Sequence, residues 1–211
     1  PGSDPGSGKQ DGKRSMNISL VLLAAGNSRR FEGNKLLSPI DGKPMYLYIA
    51  DEIEKHCDSL FAQKIVVSQY EEILREMGRR GYTVLENPKG GDGIASSLKI
   101  GLDAATGQAV CFAVCDQPYL KGDTIAQFLK CWEMSGRGMG CLSFEGVPGN
   151  PAVFSERYFE ELRGLKGDAG GRKILSGHPS DRYMHEIKDK KELEDIDIRR
   201  KLCSYWSEQA L

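Results

Sequence analysis

Residues 18–35 read ISLVLLAAGNSRRFEGNK: a nearly unbroken apolar run, then three small residues, then a polar and basic stretch. An apolar run of that length bounded by small residues fits a strand buried on both faces, the kind found in the middle of a parallel sheet. The same signature returns at KIVVS (64–68), YTVLE (82–86) and AVCFAV (109–114). Helical spacing fills the gaps: 44–57 with Pro44 in the first turn, 70–80 ending before Gly81, and 94–105 ending before Gly107. Strands alternating with helices predict an α/β fold with a mostly parallel sheet and helices on both faces. Farther on, the pattern predicts a helix over 124–134, strands over 139–144 and 152–154, a helix over 157–162 and a strand over 183–187. No internal repeat interrupts the series.

The 211 residues carry 29 Lys and Arg against 30 Asp and Glu, a net charge of −1, with 39% hydrophobic residues. That is enough apolar material for one sizeable core and too much for a disordered chain. Balanced charge offers no broad basic field for a nucleic-acid backbone, and no apolar run approaches the roughly 18 residues of a membrane span. Residues 1–15 (PGSDPGSGKQDGKRS) have no apolar residue and read as an expression tag or disordered tail, leaving 16–211 as one domain. With three bases against two acids, that tail leaves −2 on the rest. Its GSGK is a decoy: a phosphate-binding P-loop needs a preceding strand, an earlier Gly and a following Ser or Thr, whereas Ser3 and Gln10 stand at those places. Six scattered cysteines without a CxxC pair, and three histidines without zinc spacing, predict buried free thiols and a cytoplasmic protein.

In an open parallel sheet, ligands bind beyond the carboxyl ends of the strands, and the chemically loaded segments fall there. After the first strand, the small residues of 23–26 let a backbone approach a ligand closely, while Arg30 and Lys35 add positive charge suited to phosphates; a plain turn is the other reading. Asp116, in Cys115-Asp116-Gln117-Pro118, ends the most apolar strand. A lone carboxylate there can hold Mg²⁺ beside a triphosphate, or cap the next turn. Alternation in Asp195-Ile196-Asp197 would point both carboxylates to one face, making Asp197 a second ligand for the metal or a helix cap. Asn87, the Gly-rich loop at 90–93 and Ser96-Ser97 suit a base and ribose. Gly149-Asn150-Pro151 and Gly167-Asp168-Ala169-Gly170-Gly171-Arg172 look like acceptor-side elements or two surface loops.

Together LAAGNSRRFEGNK (23–35), NPKGGDGIASSLKIGL (87–102), CDQP (115–118), GNPAVF (149–154), GDAGGRKIL (167–175) and DID (195–197) resemble the MobA-like nucleotidyltransferases, most of all the molybdenum cofactor cytidylyltransferases. The resemblance implies a Rossmann-like three-layer α/β/α fold. It also implies transfer of CMP from CTP to the terminal phosphate of a pterin acceptor, molybdopterin or molybdenum cofactor, with pyrophosphate released. The alternative readings are a nucleotidyltransferase for another NTP or for a sugar phosphate or isoprenoid precursor, and a nucleotide-sensing homologue without turnover. A molybdoenzyme or maturation factor is an implied partner. On this chain it implies nucleotide contacts from Leu23, Ala24, Ala25, Gly26, Ser28, Arg30, Lys35, Asn87, Ser97 and Asp116. Asn150, Pro151, Asp168, Gly170, Gly171 and Arg172 would bind the acceptor. Arg30, Lys35 and Asp116 would carry catalysis, with Asp116 and Asp197 on Mg²⁺. The double Ala of LAAG is similar to the CTP-using enzymes, whereas GTP-using relatives carry LAGG. Two positions depart from the family pattern: Glu32 stands where Gly is usual, and Ile198-Arg199-Arg200-Lys201 replaces Thr-Pro-Glu-Asp.

The chemistry asks little of acid–base groups. An acceptor phosphate is already an anion, so the barrier is charge repulsion and alignment, and the lack of a catalytic His is expected.

Overall fold

A computed structural model describes residues 16–26 and 34–196. Ser28, Arg30, Glu32, Asp197 and the basic run after it lie outside the described residues. In chain order the strands are β1 (Ile18–Ala24), β2 (Pro39–Ile40), β3 (Lys43–Pro44), β4 (Phe61–Ser68), β5 (Thr83–Glu86), β6 (Ala109–Val114), β7 (Met139–Phe144), β8 (Val147–Ser155) and β9 (Arg182–Glu186). The helices are α1 (Tyr46–His56), α2 (Glu71–Arg79), α3 (Ile94–Ala104), α4 (Gly122–Ser135), α5 (Phe159–Arg163) and α6 (Arg172–Gly177).

Seven strands form one sheet in the order β5-β4-β1-β6-β8-β7-β9, while β2 and β3 make a separate ribbon. β1 pairs in parallel with β4 and β6, β4 with β5, and β7 with β9; within this seven-stranded sheet β8 alone runs against both its neighbours. The apolar run at 18–24 is therefore central and buried at every position. Alternation splits it between two cores. Leu20 and Leu22 pack with Ile49 and Ile53 of α1, Ile73 of α2 and Phe128 of α4. Val21 and Leu23 face the other way with Leu98 of α3, Leu162 of α5 and Leu175 of α6. Each such side chain contributes roughly 1.5–3 kcal/mol of burial. The layers are α/β/α, as expected.

Three local differences have physical reasons. Pro44 is not in the first turn of α1 but in β3, because Asp41 and Gly42, both at positive φ, turn the chain back into a ribbon before the helix starts. The strand expected over 152–154 extends from Val147, since Val147 and Pro148 pair with Phe144 and Ser143 of β7 and 149–151 span the register shift before Ala152 meets Cys141. That puts Gly149 and Asn150 on a sheet strand instead of a surface loop. The helix expected over 157–162 opens as a 3₁₀ turn at Glu156–Tyr158 before α5. The expected burial of cysteines holds for Cys57, Cys111, Cys115 and Cys141, while Cys131 is half-buried.

The chain moves from β1 outward through β4 to β5, then crosses back by α3 to β6 on the other side of β1. A crevice opens beyond the carboxyl ends of β1 and β6, where the direction of winding reverses.

Candidate functional site

Two pockets share this edge. One, about 560 Å³, is lined by Leu23, Ala25 and Gly26 after β1, by the loop at 90–93, by Ser97 on α3 and by Asp116 after β6. The other, about 590 Å³, lies toward β8 and is lined by Asn150, Asp168, Gly170, Gly171 and Arg172 together with Phe112, Phe144, Phe154 and Asp195. Leu23, Ile94 and Asp168 line both. Of the residues expected to contact nucleotide, Leu23, Ala25, Gly26, Ser97 and Asp116 line the first cavity, and of those expected to bind the acceptor, Asn150, Asp168, Gly170, Gly171 and Arg172 line the second.

The first pocket is held from behind. Ala24 is buried, and its carbonyl accepts from Ser68 Oγ at 2.9 Å; the Ala25 carbonyl accepts from Gln69 Nε2 at 2.8 Å and that of Gly26 from Tyr70 OH at 3.3 Å. The loop lies so close to the strand end that a Cβ on Gly90 would stand 2.6 Å from the Ala25 carbonyl oxygen. Asn87 is also buried. Its Nδ2 donates to Ser96 Oγ at 2.8 Å and Ser97 Oγ at 2.9 Å, and its Oδ1 accepts from Lys89 N at 3.0 Å. Asn87 therefore shapes the loop and the start of α3 from beneath the pocket.

At the mouth, Lys35 Nζ lies 3.0 Å from Asp116 Oδ2. The Asn34 side chain caps the 3₁₀ turn carrying Lys35 by accepting from Leu36 N at 2.9 Å. Asp116 has a second neighbour, the acidic Asp195, from far along the chain. Burial, then the charge of Asp116, raises the Asp195 carboxyl above the ordinary range. Two neighbouring carboxylates beside this cavity form a hard oxygen donor set of the kind that suits a small divalent cation. Among the described residues no group of three or more His, Cys, Asp or Glu could hold a metal, so two carboxylates would share such an ion with phosphate oxygens.

The second pocket is walled by the β7–β8 hairpin. Its tip is pinned by Glu186, whose carboxylate accepts from Ser143 Oγ at 2.8 Å and from the Glu145 and Gly146 amides. Those bonds, the Ser143 hydroxyl foremost, keep the Glu186 carboxyl below its usual range. Arg172 donates to the Pro148 carbonyl, and Gly171 lies against the Phe154 ring, where a Cβ would stand 2.8 Å from Cζ. Pro151 is buried in β8 behind the pocket, joined to Asn150 by a cis peptide bond.

The loops of the two pockets touch. Ala95 N donates to the Gly167 carbonyl at 3.1 Å, and Gly93, at φ +103°, leaves no room for a side chain against Gly167. Sequence reasoning missed this contact, and missed Asp195 as the carboxylate facing Asp116. The alternation in Asp195-Ile196-Asp197 was a signal for the second, but nothing local marked the first.

A Rossmann-like sheet with adjoining nucleotide-sized and acceptor-sized pockets at its switch point defines a class, the nucleotide-handling α/β transferases. Residues 20–183 match the model of the MobA-like NTP transferase domain, and the chain belongs to that family; it is a nucleotidyltransferase. The purine catabolism protein PucB of Bacillus subtilis is 29% identical over 198 residues, 87% of this chain and 93% of its own length. A molybdenum cofactor guanylyltransferase of Yersinia pseudotuberculosis is 33% identical over 113 residues, 53% of this chain and 55% of that protein. The crystal structure of Rv0371c from Mycobacterium tuberculosis has the same fold, with a TM-score of 0.73 at 22% identity over 89% of this chain and 98% of that one. A manganese complex of that protein gives 0.69 at 20% identity, over 90% and 99%. No helix among the described residues is long and apolar enough to cross a membrane.

Proposed function

We propose that this protein transfers CMP from CTP to the terminal phosphate of molybdopterin or molybdenum cofactor, releasing pyrophosphate, in the cytoplasm. The observation that carries the reading is the pair of adjoining pockets sharing Leu23, Ile94 and Asp168. A donor triphosphate in one and an acceptor phosphate in the other would meet beside Asp116. The first pocket takes the nucleotide: small residues at 24–26 admit it, Ser97 and the 90–93 loop flank base and ribose, and Ser28, Arg30 and Lys35 meet the phosphates. The double Ala of LAAG at 23–26, where GTP-using relatives carry LAGG, favours cytosine over a larger purine. The second pocket combines aromatic walls from Phe112, Phe144 and Phe154 with Arg172, a combination suited to a flat heterocycle bearing a phosphate. The relative named as a molybdenum cofactor guanylyltransferase supports a pterin acceptor, and buried free thiols support a reducing compartment.

Asp116 with Asp195 and Asp197 would hold Mg²⁺, which when bound supplies charge neutralisation at the reacting phosphates. Lys35 gives up its contact with Asp116 to meet the incoming triphosphate, and with Arg30 it steadies the departing pyrophosphate. Asp168 and Arg172 align the acceptor phosphate, which attacks as the anion it already is.

The test is pyrophosphate release with molybdopterin, Mg²⁺ and each of CTP, GTP, ATP and UTP, beside the thermal shift each nucleotide produces. CTP should give the largest shift and the fastest release. Equal shifts for all four would refute the cytidine preference, and tight CTP binding without release would refute the acceptor.

A further inference from the structure

Gln117 follows Asp116 at the end of β6 and is 4% exposed. Its Nε2 donates to the Leu193 carbonyl at 3.1 Å and to Asp195 Oδ1 at 3.0 Å. Alongside, Ile196 N donates to the Asp116 carbonyl at 3.1 Å. Three hydrogen bonds therefore sew the chain at 193–196 onto two consecutive residues of the strand end. The sewn segment is one wall of the second pocket, where Lys190, Leu193, Glu194 and Asp195 line it. Leu193 also lies against β8, its Cδ1 2.8 Å from where a Cβ on Gly149 would stand. Upstream, a separate clasp joins Glu192 Oε1 to Lys121 Nζ at 3.2 Å, and within 193–196 two of the three bonds to the strand end come from the Gln117 amide.

A primary amide is what this place requires. One nitrogen supplies two donors, one for a carbonyl and one for a carboxylate, whereas a carboxylate at 117 would offer none and would repel Asp195. Oε1 of Gln117 is buried and has no hydrogen-bond partner among the described residues. An apolar side chain of the same shape would avoid that unpaired acceptor but would leave the Leu193 carbonyl and Asp195 Oδ1 without this donor.

We propose that Gln117 is a positioning residue for nucleotidyl transfer: by holding the Leu193 carbonyl and the Asp195 carboxylate it keeps the acceptor-pocket wall in place and keeps Asp195 facing Asp116. The catalytic part of this statement rests on the function proposed above. The tether itself does not.

The experiment combines hydrogen exchange of the ligand-free full chain with steady-state kinetics using CTP, molybdopterin and Mg²⁺, for the wild type, Gln117→Met, Gln117→Glu and the double variant Gln117→Glu/Asp195→Asn. Gln117→Met should speed exchange at 193–196 about ten-fold, the scale of a lost hydrogen bond to a charged partner, and leave the rest of the sheet unchanged. The Kd for CTP measured without Mg²⁺ should stay within about two-fold while the KM for the acceptor rises about ten-fold or more. Gln117→Glu should be worse in both respects. The double variant should exchange more slowly than Gln117→Glu, because the introduced amide at 195 donates to the introduced carboxylate at 117. Unchanged exchange in Gln117→Met, or equal losses in CTP and acceptor binding, would overturn the proposal. Exchange needs no substrate, so a wild-type protein silent toward molybdopterin would refute the assigned acceptor and not the tether.

Discussion

Lys35 and Asp116, 81 positions apart in the chain, meet at 3.0 Å across the mouth of the first pocket. Each is less than one-third exposed, 23% and 29%. The pair is a site held closed on itself: the cation that would meet phosphate neutralises the carboxylate that would meet the metal. Replacing Asp116 by Ala should abolish nucleotidyl transfer, by at least about 10²–10³-fold, at any Mg²⁺ concentration. A part-exposed ion pair contributes only about 0–1 kcal/mol, so the melting temperature should barely change. Near-normal turnover in a folded variant would refute the metal assignment.

Gly93 and Gly167 form the other contact between the pockets. A Cβ on Gly93 would stand 2.3 Å from the Gly167 carbonyl carbon, at a φ of +103° that side chains avoid. Gly93→Ala should push the two loops apart and raise the KM for both nucleotide and acceptor by about ten-fold or more, since positioning costs rise steeply with displacement. A change confined to one substrate would show that the loops act separately.

Gly101 lets α3 lie directly on β1, where a Cβ would meet Val21 Cγ1 at 2.4 Å. Gly101→Ala should cost about 1–3 kcal/mol by overpacking, despite the better helix propensity of Ala. Urea titration gives the value directly. A more stable variant would mean that β1 and α3 separate at little cost.

Asp181 anchors the far end of the second core. Burial raises its carboxyl, but the Tyr158 hydroxyl at 2.6 Å, the Gly138 amide and Arg157 together outweigh burial and hold it below the ordinary value. A folded-state pKa below the unfolded one stabilises at pH above the unfolded value, about 4, and the contribution fades as pH falls through the folded one. Asp181→Asn should lower the urea midpoint at neutral pH and flatten its decline below about pH 4. Parallel curves for the two proteins would show that Asp181 does not carry the acid sensitivity.

Burial pushes the Cys57 thiol up to about 12 and raises Cys111 and Cys115 further still, while Cys131 is half-buried. Iodoacetamide at pH 8 should therefore label Cys131 well before Cys57, Cys111, Cys115 and Cys141, which should react only on unfolding. Mass spectrometry of the peptides decides the order.

The sequence by itself determined the alternation of buried strands and amphipathic helices, the small residues after β1 and the carboxylate after β6. These are legible because a strand buried on both faces must be apolar throughout, and polar groups can then appear only where it ends. It also determined membership of a nucleotidyltransferase family, since several short motifs stand in one order along the chain. Tertiary structure decided which polar groups meet. Gln117 and Asp195 lie 78 positions apart, and Ala95 bonds to Gly167 across three intervening strands and two α-helices. A hydrogen bond between distant residues leaves no period and no local composition bias, so nothing near Gln117 announces Asp195. The same holds for β8: Gly, Asn and Pro in succession read as a loop, and only the pairs that flank them, Pro148 with Ser143 and Ala152 with Cys141 across a register shift, carry them within one strand. Local pattern fixes what each segment can bury, while the packing of the whole sheet fixes what its ends face.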